Sequence, residues 1–354
     1  MIVKNLWSGN RFAVLFSVLL TAFTAYALLD TFVIPRQYAV VAPDAEPNAQ
    51  TSQSADNSDA QTTQSKSAEN SDAIPNMSQK SSRTHSGAGG SRTKSRKSAT
   101  DNGSAENSVT VTESGARSYS DDKISIRLTQ YRAYDTDIYV ADVTLSSPEY
   151  LKTALANNAY GRNVKDKTSA IAAENNAILA INGDYYGARN SGYVIRNGTL
   201  YRDSAAGGEV LAIFADGSFQ IADDREVTAQ ALLDAGAVQV FSFGPALVKD
   251  GAVTVTEGQE VGKAMASNPR TAIGVMDNLH YVFVVADGRT GRSEGMSLYE
   301  LAEFMRGLGV KTAYNLDGGG SSTMAFNGEI INNPTTSGNS VKERSVSDIV
   351  YIGA

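Results

Sequence analysis

The sequence predicts an α+β domain on mixed, largely antiparallel sheets with a few helices, preceded by a transmembrane helix and a disordered linker. Three observations predict it. Asn-Gly and Asp-Gly pairs recur between short apolar runs, which is the signature of tight β-hairpins. Helical periodicity is confined to a few short stretches, so the regular strand–helix alternation of a doubly wound parallel sheet is missing. Upstream of both, one long uncharged apolar run precedes a tract nearly devoid of large apolar residues.

The apolar run comes first. Phe12 to Leu29 is eighteen residues without a charge, and apolar character resumes after Asp30 through Ile34. That length spans a bilayer as a slightly tilted helix. Lys4 and Arg11 precede it, which favours a cytoplasmic N-terminus and an exported remainder, hence a single-pass cell-membrane protein. Ala25-Tyr26-Ala27 also fits a signal-peptidase site, but the apolar run continuing past it favours retention. Residues 1–40 are therefore assigned to the anchor.

Residues 41–120 are rich in Ser, Asn, Thr, Gln, Ala and Gly. Such a segment buries too little apolar surface to offset its chain entropy and is expected to be a disordered linker. Its middle, Lys80 to Lys97, carries basic residues and no acids. It reads as a solvated tether, or as a stalk attracted to anionic wall polymer or lipid headgroups.

Residues 121–354 hold the folded domain. Alternating patterns mark strands at 123–131 and 137–145. Lys167 to Asn175 reads as a short helix entering the buried strand Ala177 to Ile181. Hairpin turns are expected at Asn197-Gly198, Asp216-Gly217, Asp250-Gly251 and Asn327-Gly328. A helix at Thr228 to Ala235 leads to a strand at 238–243. In the clearest helix, Leu298 to Leu308, Leu298, Leu301, Met305 and Leu308 share one face. Ser297 and Glu300 form a capping box there, and Gly309 suits the stop.

Composition narrows the chemistry. The chain has no cysteine, so disulfides, thiolate metal sites and a cysteine nucleophile are excluded. Of its two histidines, His85 lies in the linker and His280 opens a strand after a turn, where a structural role is expected. A Ser-His-Asp hydrolase is thereby disfavoured, and acid–base work falls to Asp, Glu, Tyr and Lys. A net charge of −7 gives no reason to expect nucleic acid.

Four polar clusters end apolar strands. "AINGDYYG" brings Asn182, Asp184 and Tyr185; "SNPRTAIGV" brings Arg270; "YVFVVADGRTGRSEG" brings Asp287, Arg289 and Arg292. The fourth, "NLDGGGSSTM", joins strand to strand, and no Lys-Ser/Thr follows its glycines, so the Walker loop does not apply. Its Gly318, Gly319 and Gly320 read as a turn whose N–H groups cradle an oxyanion, with Ser321 and Ser322 as added donors and Asp317 at the mouth. The plain alternative is a tight turn in which Asp317 bonds the loop backbone. Together the clusters suggest a pocket for a phosphorylated or polyhydroxyl ligand.

In this order the clusters resemble the phosphodiester glycosidase family. The similar stretches are "AINGDYY", "NPRTAIGV", "VVADGRTGRSEGMSLYELAEFMRGLG" and "YNLDGGGSSTM", spread over most of Lys165 to Tyr351. The family includes a lysosomal enzyme that removes N-acetylglucosamine from its phosphodiester link to mannose 6-phosphate. It also includes membrane-anchored exported bacterial proteins loosely linked to exopolysaccharide. Asp184 departs from the glycine common there. The resemblance implies hydrolysis of a sugar-1-phosphodiester, free or within a cell-surface glycopolymer, at the glycosidic C–O bond. Phosphate leaves well without a strong general acid. On that demand Arg270, Arg289 and the Gly318–Ser322 turn would receive the phosphate. Asp317 would be the catalytic carboxylate, with Asp184 or Asp287 second, and Asn182 and Tyr185 would hold sugar hydroxyls. No cofactor is required. Two other classes stay open: a non-catalytic wall-polymer binding module, and a metal-dependent phosphodiesterase with Asp184, Asp287 and Asp317 around Ca²⁺ or Mg²⁺.

Overall fold

The Asn-Gly and Asp-Gly pairs turn the chain between paired strands. Val194–Arg196 and Thr199–Arg202 flank Asn197-Gly198, and Glu209–Phe214 and Phe219–Asp223 flank Asp216-Gly217. Ala246–Lys249 and Ala252–Val253 flank Asp250-Gly251, and Met324–Phe326 and Glu329–Ile330 flank Asn327-Gly328. Asn197, Asp250 and Asn327 take φ of 50°, 50° and 49°, with the next glycine at 75°, 77° and 80°. Two successive left-handed residues match the twist of the strands they join.

The computed structural model describes residues 3–38, 110–261, 267–336 and 340–354. Most of the expected linker, with His85 and its basic middle, lies outside these. The strand Thr110–Ser120 falls within the tract read as linker and pairs with Ile124–Ala133 at the edge of a sheet. Its sequence, "TVTESGARSYS", lacks apolar alternation, so nothing but pairing reveals it.

Three sheets form the domain, and every pairing among their described strands is antiparallel. The eight-stranded sheet runs from Ala252–Val253 at one edge to Thr110–Ser120 at the other, with Thr312–Asn315, Arg270–Asp277 and His280–Ala286 inside it. A five-stranded sheet holds Leu179–Asn182 between Met324–Phe326 and Asp348–Ile352. A second five-stranded sheet contains Val194–Arg196 and Ala237–Phe241.

Strand alternation then sorts the core. Ala141, Phe283, Leu179, Val350 and Phe241 face a shared interior between the sheets. Their neighbours Val140, Val282, Ala180, Ile349 and Val240 point outward, where each sheet is covered by one helix. Leu298–Gly307 packs Leu298, Leu301 and Met305 on the large sheet. Thr168–Glu174 covers the Leu179–Asn182 sheet through Ile171, and Ala229–Asp234 covers the third through Leu232. The Ser297–Glu300 capping box is formed, and Gly309 takes φ +88° just past the helix end.

The N-terminal helix Val3–Phe32 contains an apolar stretch, Ala13–Asp30, long enough to cross a bilayer. Immediately after it the chain docks on the domain. Arg36–Gln37 pairs antiparallel with Gly161–Arg162, the Tyr38 amide donates to the Tyr160 carbonyl at 2.9 Å, and Asn163 Nδ2 donates to Ile34 O at 3.3 Å. Gly161 permits this approach, because a Cβ there would lie 1.9 Å from Arg36 O. The separation between helix and domain is therefore set by residues 33–38 and not by the length of the later tract.

Gly161→Ala should release this docked segment without unfolding the domain. Hydrogen exchange on the full chain reads it: the Tyr38 amide should exchange as in a free chain, with the melting temperature nearly unchanged. A Tyr38 amide protected as in the parent would contradict the docking.

Candidate active site

The site forms where strands of all three sheets end. Leu179–Asn182 runs into Gly183-Asp184, and beside it the strand Asp348–Ile352 begins, with Gly183 N donating to Asp348 O at 2.9 Å. Thr312–Asn315 runs into Leu316-Asp317, where Asp317 N donates to Gly183 O at 3.1 Å and Leu316 N to Thr271 O at 2.9 Å.

Asp184, Arg196 and Asp348 make a buried ionic group. Arg196 is 2 % exposed; its Nε donates to Asp348 Oδ2 at 2.8 Å and its Nη2 lies 3.3 Å from Asp184 Oδ2. Its guanidinium also stacks 4.1 Å from the centre of the Phe241 ring. Asp184 accepts further from the amides of Tyr186 at 2.7 Å and Ser242 at 3.1 Å. Gly183 is obligatory, since a Cβ there would sit 2.4 Å from the Asp348 carboxylate. Two carboxylates against one guanidinium leave a surplus negative charge in the interior. Burial, reinforced by the Asp184 charge and opposed by Arg196, pushes Asp348 up to about 7.

The triple glycine has a packing explanation. A Cβ on Gly318 would lie 2.9 Å from Pro269 O, one on Gly319 2.9 Å from Arg289 Nη2, and one on Gly320 2.3 Å from Thr336 Oγ1. Gly319–Ser321 forms a short 3₁₀ turn rather than an open cradle. The amides of Gly319, Ser321 and Ser322 donate to Pro269 O, Gly318 O and Gly319 O. Those three N–H groups therefore already have partners within the fold. Ser321 Oγ accepts from Arg344 Nε at 3.0 Å, and Ser322 Oγ is buried without a partner among the described residues.

Asp317 lines a cleft of about 210 Å³ with Asp184, Tyr185, Arg162, Lys165 and Arg344. It is 7 % exposed, and Arg344 Nη2 stands 3.3 Å from its Oδ2. Burial raises its pKa above the ordinary aspartate value, Arg344 and Ser321 pull it back, and Asp184 raises it further. Tyr185 is 44 % exposed and is free to meet a ligand. The cleft lining thus holds two carboxylates, Asp184 and Asp317, and three cations, of which Arg344 pairs with Asp317.

Other expected site residues lie elsewhere. Asn182 is fully buried and does not line the cleft; its Nδ2 donates to Asp317 O at 2.6 Å, and its Oδ1 accepts from Thr271 Oγ1 at 2.8 Å and Thr323 N at 3.2 Å. These bonds tie it to the Asp317 loop and to the neighbouring strands. Arg270 is buried on Met296 O at 2.7 Å and Glu260 at 2.6 Å. Asp287 accepts from Asn332 Nδ2, Asn333 N and Asn333 Nδ2 at 3.1, 2.8 and 2.9 Å, pinning the 332–333 loop away from the cleft lining. Arg289 braces the turn from behind, on Thr336 O at 2.7 Å and Asn268 Oδ1 at 2.9 Å. Burial and the charges of Arg344 and Arg270 lower its pKa, so cationic potential accumulates around the turn. Asp184, Asp287 and Asp317 do not form one ligand set, and among the described residues no three carboxylates or histidines gather to hold a metal. Sequence patterns do not single out Arg344, Arg162 or Lys165. Arg344 sits in the polar run "VKERSVSD" just before the last strand.

A family model described as phosphodiester glycosidase matches residues 175–353, which hold Asp184, Asp317 and Arg344. The SPbeta prophage-derived uncharacterized protein YomE of Bacillus subtilis is 34% identical over 182 residues, 49% of this chain and 28% of YomE. The mouse N-acetylglucosamine-1-phosphodiester alpha-N-acetylglucosaminidase is 38% identical over 88 residues, 24% of this chain and 17% of the mouse protein. The chain thus spans less than a third of the length of these relatives. The zebrafish enzyme's catalytic domain, a structure auto-inhibited by its pro-peptide, has the same fold: TM-score 0.53 at 20% identity, over 71% of this chain and 84% of that one.

The buried ionic group makes a pH prediction. An aspartate raised to about 7 holds its proton in the folded state, while the unfolded chain releases it near the ordinary value of about 4. This contribution to stability is full below the unfolded value and is lost as pH rises to the folded one. Asp348→Asn keeps an acceptor for Arg196 Nε and removes the titration, so unfolding free energy should fall less steeply between those two values than in the parent. Equal slopes would contradict the raised Asp348 pKa.

Proposed function

The chain belongs to the phosphodiester glycosidase family, and on that premise we propose that it hydrolyses a sugar-1-phosphodiester at the glycosidic C–O bond. The observation that carries the reading is Asp317, a buried carboxylate that shares one small cleft with Arg162, Lys165 and Arg344 and pairs with the last at 3.3 Å. Ionised Asp317 stabilises the oxocarbenium-like centre at the anomeric carbon and directs water to it or attacks it. The departing phosphate carries its negative charge onto the three cations, so the bond breaks without a dedicated general acid. The mouse relative's name supplies the first sugar to try, N-acetylglucosamine. Tyr185 at the rim contacts the sugar, and the reaction as drawn needs no metal ion.

The same reading places the chemistry outside the cytoplasm. Lys4 and Arg11 lie before the apolar helix, which favours export of the domain on its far side. A cell-surface or exopolysaccharide phosphodiester is then the substrate within reach.

Asp317→Asn should lower turnover of N-acetylglucosamine-1-phosphate diesters about a hundredfold or more. Stability should change by no more than about 1 kcal/mol, because asparagine keeps an acceptor for Arg344. Parallel loss of turnover and melting temperature would point to a purely structural aspartate. Arg344→Gln supplies a second test. Arg344 holds Asp317 toward its ionised form, so its loss raises the Asp317 pKa and moves the acid limb of the pH–rate profile to higher pH. A limb that stays in place would remove Asp317 from that role.

A further inference from the structure

Beside the Asp317 cleft lies a second cleft of about 220 Å³, walled by Tyr38, Tyr160 and Tyr201 and rimmed by Arg162, Arg189 and Arg202. Arg162 lines both clefts, so they adjoin at this residue. The tyrosines cluster about Tyr160, with ring centres 5.8 Å away for Tyr38 and 4.9 Å for Tyr201. Tyr38 comes from the segment after the N-terminal helix, and it is 46 % exposed. No acidic residue is among those lining this cleft. Arg202 donates to the carbonyls of Gly192, Tyr186 and Arg189, and Arg189 to that of Ser242 at 3.3 Å, all neutral acceptors. Arg162 Nε is buried without a hydrogen-bond partner among the described residues. In a chain of net charge −7, three cations beside aromatic faces form a local anion-attracting surface.

We propose that this second cleft binds the group on the far side of the scissile phosphate, and that this group is an anionic sugar unit, one bearing its own phosphate or carboxylate. Tyrosine faces and hydroxyls suit a sugar ring, and the arginines suit its charge. The inference rests on the phosphodiester glycosidase reading and deepens it. The substrate becomes a chain of charged sugar units instead of a sugar phosphate on a small alcohol. Tyr38 makes the docked juxtamembrane segment part of the binding surface.

The test uses the full chain and three diesters of α-N-acetylglucosamine 1-phosphate, made with methanol, with glucose and with glucose 1-phosphate. KM should be about tenfold lower for the glucose 1-phosphate diester than for the glucose diester. Arg189→Gln and Tyr38→Ala should each raise KM for that charged diester several-fold, leave kcat nearly unchanged, and leave the methyl diester unaffected. Equal KM for all three diesters would overturn the inference. So would faster turnover of all three by Tyr38→Ala, which would make Tyr38 an obstruction. If none of the diesters turns over, the glycosidase reading itself fails, and binding then decides the cleft. Glucose 1,6-bisphosphate should bind the parent and lose affinity in Arg189→Gln while glucose binds neither; indifference to the substitution would overturn the proposal.

Discussion

Arg196 is buried between the carboxylates of Asp184 and Asp348, and that single guanidinium ties one five-stranded sheet to the turn and strand of another. Burying three charged groups carries a large desolvation cost, and removing one partner leaves the others uncompensated. The structure meets that cost with main-chain amides on Asp184 and a ring face on Arg196, and burial raises the Asp348 pKa. Gly183 is then a requirement, because only its bare Cα admits the Asp348 carboxylate. With Asp184 fixed, Gly183 O receives the Asp317 amide, and Asn182 beside it holds the Asp317 carbonyl. Asp317 is therefore held by a chain of buried bonds that begins at the ionic group.

Asp184 thereby acquires a role other than substrate contact. It lines the cleft, yet every contact it makes within the protein is a holding contact. Its charge also acts at a distance by raising the Asp317 pKa, which Arg344 opposes. Asp184 and Arg344 together tune the protonation state of Asp317, and neither needs to touch the substrate to do so.

Local features were legible in the sequence because their causes are local. The four Asn-Gly and Asp-Gly hairpins need only left-handed φ, and the Leu298–Gly307 helix carries its own cap, apolar face and terminal glycine. Strand ends bearing polar clusters were also visible, and Asp317 was among them. Partnership was not visible. Arg270 and Arg344 look alike in sequence; Arg270 is neutralised by Glu260 and buried, while Arg344 reaches the cleft from a stretch without periodicity. Asp287 and Asp317 both end apolar strands before glycine, but two asparagines some 45 residues away absorb Asp287. The glycines of the Asp317 turn suggested an open oxyanion nest, whereas their contacts show close packing against Pro269, Arg289 and Thr336. Arg196 carried no signal at all, since an arginine before Asn-Gly usually reads as a solvated hairpin end.

In the proposed reaction the glycosidic C–O bond breaks at Asp317 while phosphate departs onto the cations. Hydrolysis of an N-acetylglucosamine-1-phosphodiester in heavy-oxygen water tests it directly, with products analysed before the freed sugar exchanges with solvent. Heavy oxygen is expected on the anomeric hydroxyl of the released sugar and none on phosphate. Heavy oxygen on phosphate would mean attack at phosphorus, and would contradict both the role of Asp317 and the bond assigned to it.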